Sequence, residues 1–172
     1  MKTVLIPTDF ELASLKYLPE VTNRYYPQKL NIVLVHMIKM TDSITELLML
    51  SRRRTEYKKI TPEFLKEFND FKTNHSDVVE NIRIEFFYGS TVIAFKNFLE
   101  ANAIEEVINV TNYEFKLPTK QSINPTTLIN KCGQKTINID FSALKKPAVT
   151  AAKVKAPVQT AEEVPQEEIE NV

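Results

Sequence analysis

The sequence predicts an α/β fold built on a parallel sheet, and three observations predict it. Strand-like apolar runs recur at residues 3–6, 30–35, 82–87, 106–110 and 135–141, with helical patterns between them. Strands alternating with helices close through right-handed crossovers, which leave neighbouring strands parallel. The run Ile32-Val33-Leu34-Val35 is apolar without alternation, as a strand buried on both faces requires. The first run stops abruptly at Pro7-Thr8-Asp9-Phe10, delivering a hydroxyl and a carboxylate to the start of a helix. Open α/β sheets build their ligand crevices at such strand ends.

The helices carry legible punctuation. The first spans residues 12–26 and contains Pro19, which removes a backbone hydrogen bond and should kink or restart it. Ser43-Ile44-Thr45-Glu46 has capping-box spacing, with Ile44, Leu47 and Leu48 as an apolar stripe behind it. Thr61 caps a further helix with Pro62 in its first turn, and Phe64, Leu65, Phe68 and Phe71 are expected on one face. Ser90 is placed to cap a helix through Val92, Phe95, Phe98 and Leu99 that ends near Asn102. Asn124-Pro125 opens a short helix that Gly133 should close.

The 172 residues fit one domain of common size plus an extension, and 43% hydrophobic content is enough for a core. Residues 1–141 carry every strand and helix signal. Residues 142–172 alternate Lys, Ala, Val and Pro, turn acidic after Thr160, and lack aromatic residues and apolar periodicity. They read as a disordered, solvated tail. The formal net charge is zero, which gives no general attraction to nucleic acid or to an anionic membrane. The early apolar run is too short for a signal peptide and no segment is long enough to span a bilayer, so the expectation is a soluble cytoplasmic protein. A single cysteine, Cys132, excludes an internal disulfide framework. Gly89 and Gly133 are the only glycines, too few for a glycine-rich phosphate loop.

The opening Lys2-Thr3-Val4-Leu5-Ile6-Pro7-Thr8-Asp9-Phe10, followed by Ala13-Ser14-Leu15-Lys16, resembles the start of a universal stress protein domain. Leu34-Val35-His36-Met37 is similar to the end of that family's second strand. Tyr88-Gly89-Ser90 with Ala94, Phe98, Leu99 and Ala101 is similar to its third strand and following helix, and Glu105-Glu106-Val107-Ile108 to the opening of its fourth strand. The resemblance spans residues 1–141. It implies a Rossmann-like five-stranded sheet of order 3-2-1-4-5 with helices on both faces. It also implies a crevice in which Pro7, Thr8 and Asp9 face Met37 and the loop beginning Thr111-Asn112. Many members bind ATP there, with Met37 matching a position that contacts adenine.

The resemblance breaks after the fourth strand. ATP-binding members carry three glycines there, where this chain has Thr111, Glu114 and Asn124. A non-glycine residue forced to positive φ costs about 1–3 kcal/mol. A carboxylate about 4 Å from phosphate is repelled by roughly 4 kcal/mol at an effective dielectric near 20. No cofactor is therefore expected, and ATP binding in the family manner is not.

The remaining candidates have bland alternatives. Asp9 could hold ribose or adenine, or cap the first helix, and without a phosphate loop the cap is favoured. His36 and His75 lack ligand-like spacing, so no metal is expected, and His36 reads as a strand-end histidine with ordinary hydrogen bonds. Cys132, near a helix C-terminus, reads as a quiet small residue. Asn109 interrupts an apolar strand and needs partners, either at a pocket or from its neighbours. Arg52-Arg53-Arg54 with Lys58 and Lys59 reads as a solvated helix face. No Ser/His/Asp arrangement, paired catalytic carboxylates or CxxC motif is recognisable, so no enzyme is expected. The fifth strand would be a sheet edge carrying Ile137, Ile139 and Phe141, and edges must be covered or paired. The leading expectation is a stress-related homodimer acting through protein association, with a protein partner left open. The alternative is a small-ligand or nucleotide sensor using the crevice between the ends of the first and fourth strands.

Overall fold

Strands β1 (Lys2–Pro7), β2 (Leu30–Ile38), β3 (Val79–Tyr88), β4 (Glu106–Thr111) and β5 (Lys135–Asp140) form one parallel sheet in the order β3-β2-β1-β4-β5. The computed structural model describes residues 1–40 and 56–144. The expected helix at Ser43-Ile44-Thr45-Glu46, the Arg52-Arg53-Arg54 run and the tail beyond Leu144 lie outside the described residues.

Side chains of β1 alternate between two cores. Val4 and Ile6 pack with Ile32 and Leu34 against α1 (Leu18–Tyr25) and α2 (Pro62–Asn74), through Leu18, Val21, Phe64, Phe68 and Phe71. Leu5 packs with Val33, Val35 and Val107 against α3 (Val92–Ala101) and α4 (Thr126–Lys131), through Phe95, Leu99, Leu128 and Ile129. Helices thus cover both faces, which explains why the central strands are apolar at consecutive positions. Each buried aliphatic or Phe side chain contributes about 1.5–3 kcal/mol.

Several boundaries differ from expectation for local reasons. The first helix breaks into a 3-10 turn (Leu12–Leu15) and α1, with Pro19 in the first turn of α1, where its missing N–H costs nothing. Thr61 caps α2 as expected, its hydroxyl accepting from Phe64 N at 3.1 Å. Leu65 does not share the buried face of α2 and is exposed. Thr91, not Ser90, caps α3, accepting from Ala94 N at 3.2 Å. Gly133 follows α4 at φ +70°, the left-handed position that glycine adopts without strain. The expected domain boundary falls inside a last helical turn, α5 (Phe141–Leu144), whose Leu144 packs on the core.

The order reverses between β1 and β4, and there the sheet opens. β1 pairs with β2 along six residues but with β4 only at Val4↔Glu106 and Leu5↔Val107. The two strands part toward their C-terminal ends, the position where open α/β sheets hold ligands.

Candidate functional site

The mouth of this crevice is built by the turn after β1. Thr8 Oγ1 accepts from Phe10 N at 3.1 Å and lies 2.9 Å from Ser14 Oγ, which fixes the turn. Phe10 sits at φ +64°, a strained conformation for a bulky residue. Its ring is held against His36, Phe64 and Phe86 at centroid distances of 4.8, 5.6 and 5.8 Å, so aromatic packing offsets that strain. Pro7 is buried and its carbonyl accepts from Tyr17 OH.

Asp9 is 3% exposed and does not cap a helix. The 3-10 turn has Glu11 at its N-cap, with no side-chain cap bond. Asp9 Oδ1 instead accepts from Glu11 N at 3.1 Å, while Oδ2 accepts from Tyr113 OH at 2.8 Å and from Lys116 N at 2.9 Å. Two of the three donors come from the loop after β4. Burial, the Asp9 bond and the Asp9 and Glu11 charges push the Tyr113 phenol well above its ordinary value, so it remains a donor. The Tyr113 ring packs edge-on against Tyr17, Phe115 and Phe141, at 6.0, 4.8 and 4.7 Å between centroids.

The same loop then crosses the end of β2. Lys39 N donates to Gln121 O at 2.7 Å, Ile123 N donates to Met37 O at 3.0 Å, and Ser122 bridges Ile38 in antiparallel register. His36 Nδ1 lies 2.9 Å from the Thr8 carbonyl and Nε2 lies 3.0 Å from Ser122 Oγ. A carbonyl can only accept, so Nδ1 carries the proton and Nε2 accepts from the Ser122 hydroxyl. Burial pushes the His36 imidazole below its ordinary value, against the pull of the Thr8 carbonyl and the Glu56 and Asp9 carboxylates. Residues 112–125 are a strap fastened at Asp9, at His36 and along the end of β2.

Of the expected crevice residues, Pro7, Thr8 and Asp9 do meet at the mouth, but they are buried beneath the strap. Met37 does not line an open pocket; its side chain is 1% exposed in the core with Leu5, Val33 and Phe87. Thr111 and Asn112 turn toward β5, where Thr111 Oγ1 donates to Ile139 O at 3.3 Å and Asn112 Nδ2 to Asp140 Oδ1 at 2.9 Å. Glu114 and Asn124 are exposed, so the carboxylate expected to face phosphate faces solvent. Positive φ falls at Asn112 (+55°), one of the residue types most tolerant of it, and not at Thr111, Glu114 or Asn124. Sequence reasoning missed Ser122, whose hydroxyl meets His36, and Ile123, which acts through its backbone N–H. Tyr113 and Phe115, aromatic at alternate positions just after a strand, were the available signal.

β5 is a sheet edge as expected, but its apolar residues face inward. Ile139 and Phe141 are in the core, and Ile137 is partly buried against it. Asn109 finds its partners in other amides, donating to Asn138 Oδ1 at 3.0 Å and to Asn130 Oδ1 at 3.5 Å. His75 ends α2, stacked on Phe71 at 4.2 Å. It borders a cleft of about 400 Å³ with Leu12, Leu15, Lys16 and Asp70. Cys132, 3% exposed, borders another of about 410 Å³ with Lys96 and Gln134. Lys59 pairs with Glu56 at 2.7 Å. Among the described residues, no three His, Cys, Asp or Glu side chains converge as metal ligands, and no helix is long and apolar enough to cross a membrane.

At the other end of the sheet a second buried carboxylate ties strand starts together. Glu106 accepts from Lys2 Nζ and Lys135 Nζ, each at 2.6 Å, and from Tyr25 OH. Burial pushes its carboxyl up, but the bonds to Lys135, Lys2 and Tyr25 outweigh that and hold it at about 2.

An open parallel sheet whose strand order reverses at a crevice defines a doubly wound, Rossmann-like α/β architecture. No family model matches the chain, and no curated protein sequence matches it. Solved structures do match. Universal stress protein UspA from Lactobacillus plantarum superposes with a TM-score of 0.51, at 15% identity over 80% of this chain and 97% of that one. Hypothetical protein MJ0577 gives 0.49, at 19% identity over 81% and 95% of the two chains. A universal stress protein in complex with cAMP gives 0.45, at 17% identity over 80% and 96%. The chain has the universal stress protein fold, with the strand order its sequence resemblance implied.

Proposed function

We propose that this chain is a divergent universal-stress-type protein that acts without catalysis, through association, with a second copy of itself as its first partner. Its crevice does not take ATP in the family manner. The supporting observation is the saturation of Asp9, whose carboxylate accepts from Tyr113 OH and from the amides of Glu11 and Lys116. A ribose or adenine donor arriving there would have to displace the chain's own donors, already ordered around a buried carboxylate. The absence of glycine from residues 90–132 supports the same reading, since no residue there approaches a phosphate without a Cβ. A stress-related role in the cytoplasm accords with the fold.

Calorimetric titration with ATP, beside a thermal-shift series of nucleotides and metabolites, tests the ligand half of this proposal. No heat and no shift are expected with millimolar ATP, and micromolar ATP binding would overturn it. A shift with a ligand lacking a triphosphate would favour a sensor whose strap lifts. Sedimentation at high micromolar concentration tests the association half, and a strict monomer would overturn it.

A further inference from the structure

The β5 edge carries a guard. Thr111 Oγ1 donates to Ile139 O from the neighbouring strand, so the peptide groups of Ile139 face β4. Alternation along a parallel strand then turns the N–H and C=O of Thr136, Asn138 and Asp140 outward. The central outward acceptor is already taken. Arg24, in the last turn of α1, reaches across the edge and donates from Nη1 to Asn138 O at 3.2 Å. Glu20, one turn earlier, holds the guanidinium by its Nε at 3.1 Å.

We infer that the Arg24–Glu20 pair gates strand addition at β5, competing with a second copy of this chain for the Asn138 carbonyl. The inference rests on the association reading above and adds its regulation. A two-fold pairing of β5 with β5 is antiparallel and must use the outward groups. Centred on Asn138, it makes the two copies exchange both bonds of an Asn138–Asn138 pair. Shifted by one residue, it pairs Thr136 with Asn138 and still needs that carbonyl. In either register the incoming strand passes through the space the guanidinium occupies. Arg24 is 44% exposed and Glu20 37%, so the guard can swing into solvent at small cost. Long charged side chains at an edge are a common device against unwanted pairing. Here the device sits on a neighbouring helix, so the edge itself keeps its strand-forming sequence. Ile137, half-buried, and the small side chain of Thr136 add no charge of their own to oppose pairing.

Sedimentation equilibrium of the full-length wild type, R24A and E20Q, with amide exchange read at Thr136, Asn138 and Asp140, tests the gate. R24A should tighten dimerisation roughly ten- to a hundredfold, because each copy loses a competing charge-assisted hydrogen bond worth about three- to tenfold. E20Q should tighten it less, because the guanidinium is loosened and not removed. The three amides should gain protection as the dimer forms. A wild-type dimer protecting these amides but unchanged in R24A overturns the gate and leaves the association reading standing. Wild type and R24A both monomeric overturn both, and a dimer without protection at β5 overturns the gate alone.

Discussion

The two ends of this sheet each bury a carboxylate, and they differ in what surrounds it. At the C-terminal end, Asp9 is satisfied by neutral donors, a phenol and two amides, most of them brought by a distant loop. At the N-terminal end, Glu106 is satisfied by two ammonium groups and a phenol contributed by β1, β5 and α1. Neutral donors close a crevice without adding charge to it. Cations compensate a buried charge that ties the starts of β1, β4 and β5 to the end of α1. The first arrangement stands where a ligand would, and the second is scaffold.

The comparison breaks first at Asp9. D9A removes three bonds at once and leaves the half-buried Tyr113 hydroxyl without its acceptor. Orphaning a half-buried donor and losing a charged acceptor together cost about 2–4 kcal/mol. Urea unfolding should show that loss, and amide exchange at Lys116 should rise as the strap lifts. If D9A is near neutral, the strap is held by its β2 contacts alone and the saturation argument fails.

Glu106 comes next. Its carboxyl is held at about 2 in the folded chain against an ordinary 4.5, so it stabilises the fold while ionised. That contribution is fully present above about pH 4.5 and is lost as the pH falls toward 2. Over this window the wild type should lose about 2–3 kcal/mol through this group. E106Q should be destabilised by about 2 kcal/mol at pH 7 and lose less on acidification, which thermal unfolding at several pH values reads directly. Parallel curves for the two proteins would assign the acid sensitivity elsewhere.

How much of this was legible follows the same division. The scaffold was readable because its signals are local: continuous apolar runs mark strands buried twice, and Thr61-Pro62 and Gly133 mark where helices begin and end. Pro19 was read correctly as a break because its missing N–H acts within one turn. The crevice was half readable. Pro7-Thr8-Asp9 announced a strand end at a switch point, and the missing glycines spoke against a glycine-rich loop facing it. What filled the space was a long-range event, since Asp9 and Tyr113 meet only after the chain has crossed the sheet. The assignment of Glu114 to the crevice failed because register counting assumes the loop keeps its path. Tyr113 and Phe115 bury their rings and turn Glu114 outward. Thr91 displaced Ser90 as cap because both precede the same apolar pattern and differ only in where the first helical turn closes.

Y113F sharpens the Asp9 arm. It keeps the aromatic packing against Tyr17 and Phe141 and removes one hydrogen bond to a charged acceptor, at a cost of about 1–2 kcal/mol. Denaturant unfolding should place it between wild type and D9A, with the Lys116 amide partly protected. ATP should still not bind, because Lys116 N and Glu11 N remain on the carboxylate.

The smallest effect belongs to the Lys116 side chain, which pairs with Glu11 at 3.1 Å while 70% exposed against 44%. Exposed pairs of this kind contribute about 0–1 kcal/mol and weaken with salt. K116A should therefore leave stability within about 0.5 kcal/mol and leave the amide of residue 116 as protected as in wild type, because the backbone donor to Asp9 is untouched. The contrast with D9A separates two ways of closing the crevice. If the strap is latched by its main chain and the Tyr113 phenol, K116A is silent at any ionic strength. If it is drawn shut by surface charge, K116A lifts it, and high salt does the same to the wild type. Amide exchange at low and high salt distinguishes the two, and the neutral character of Asp9's donors favours the first.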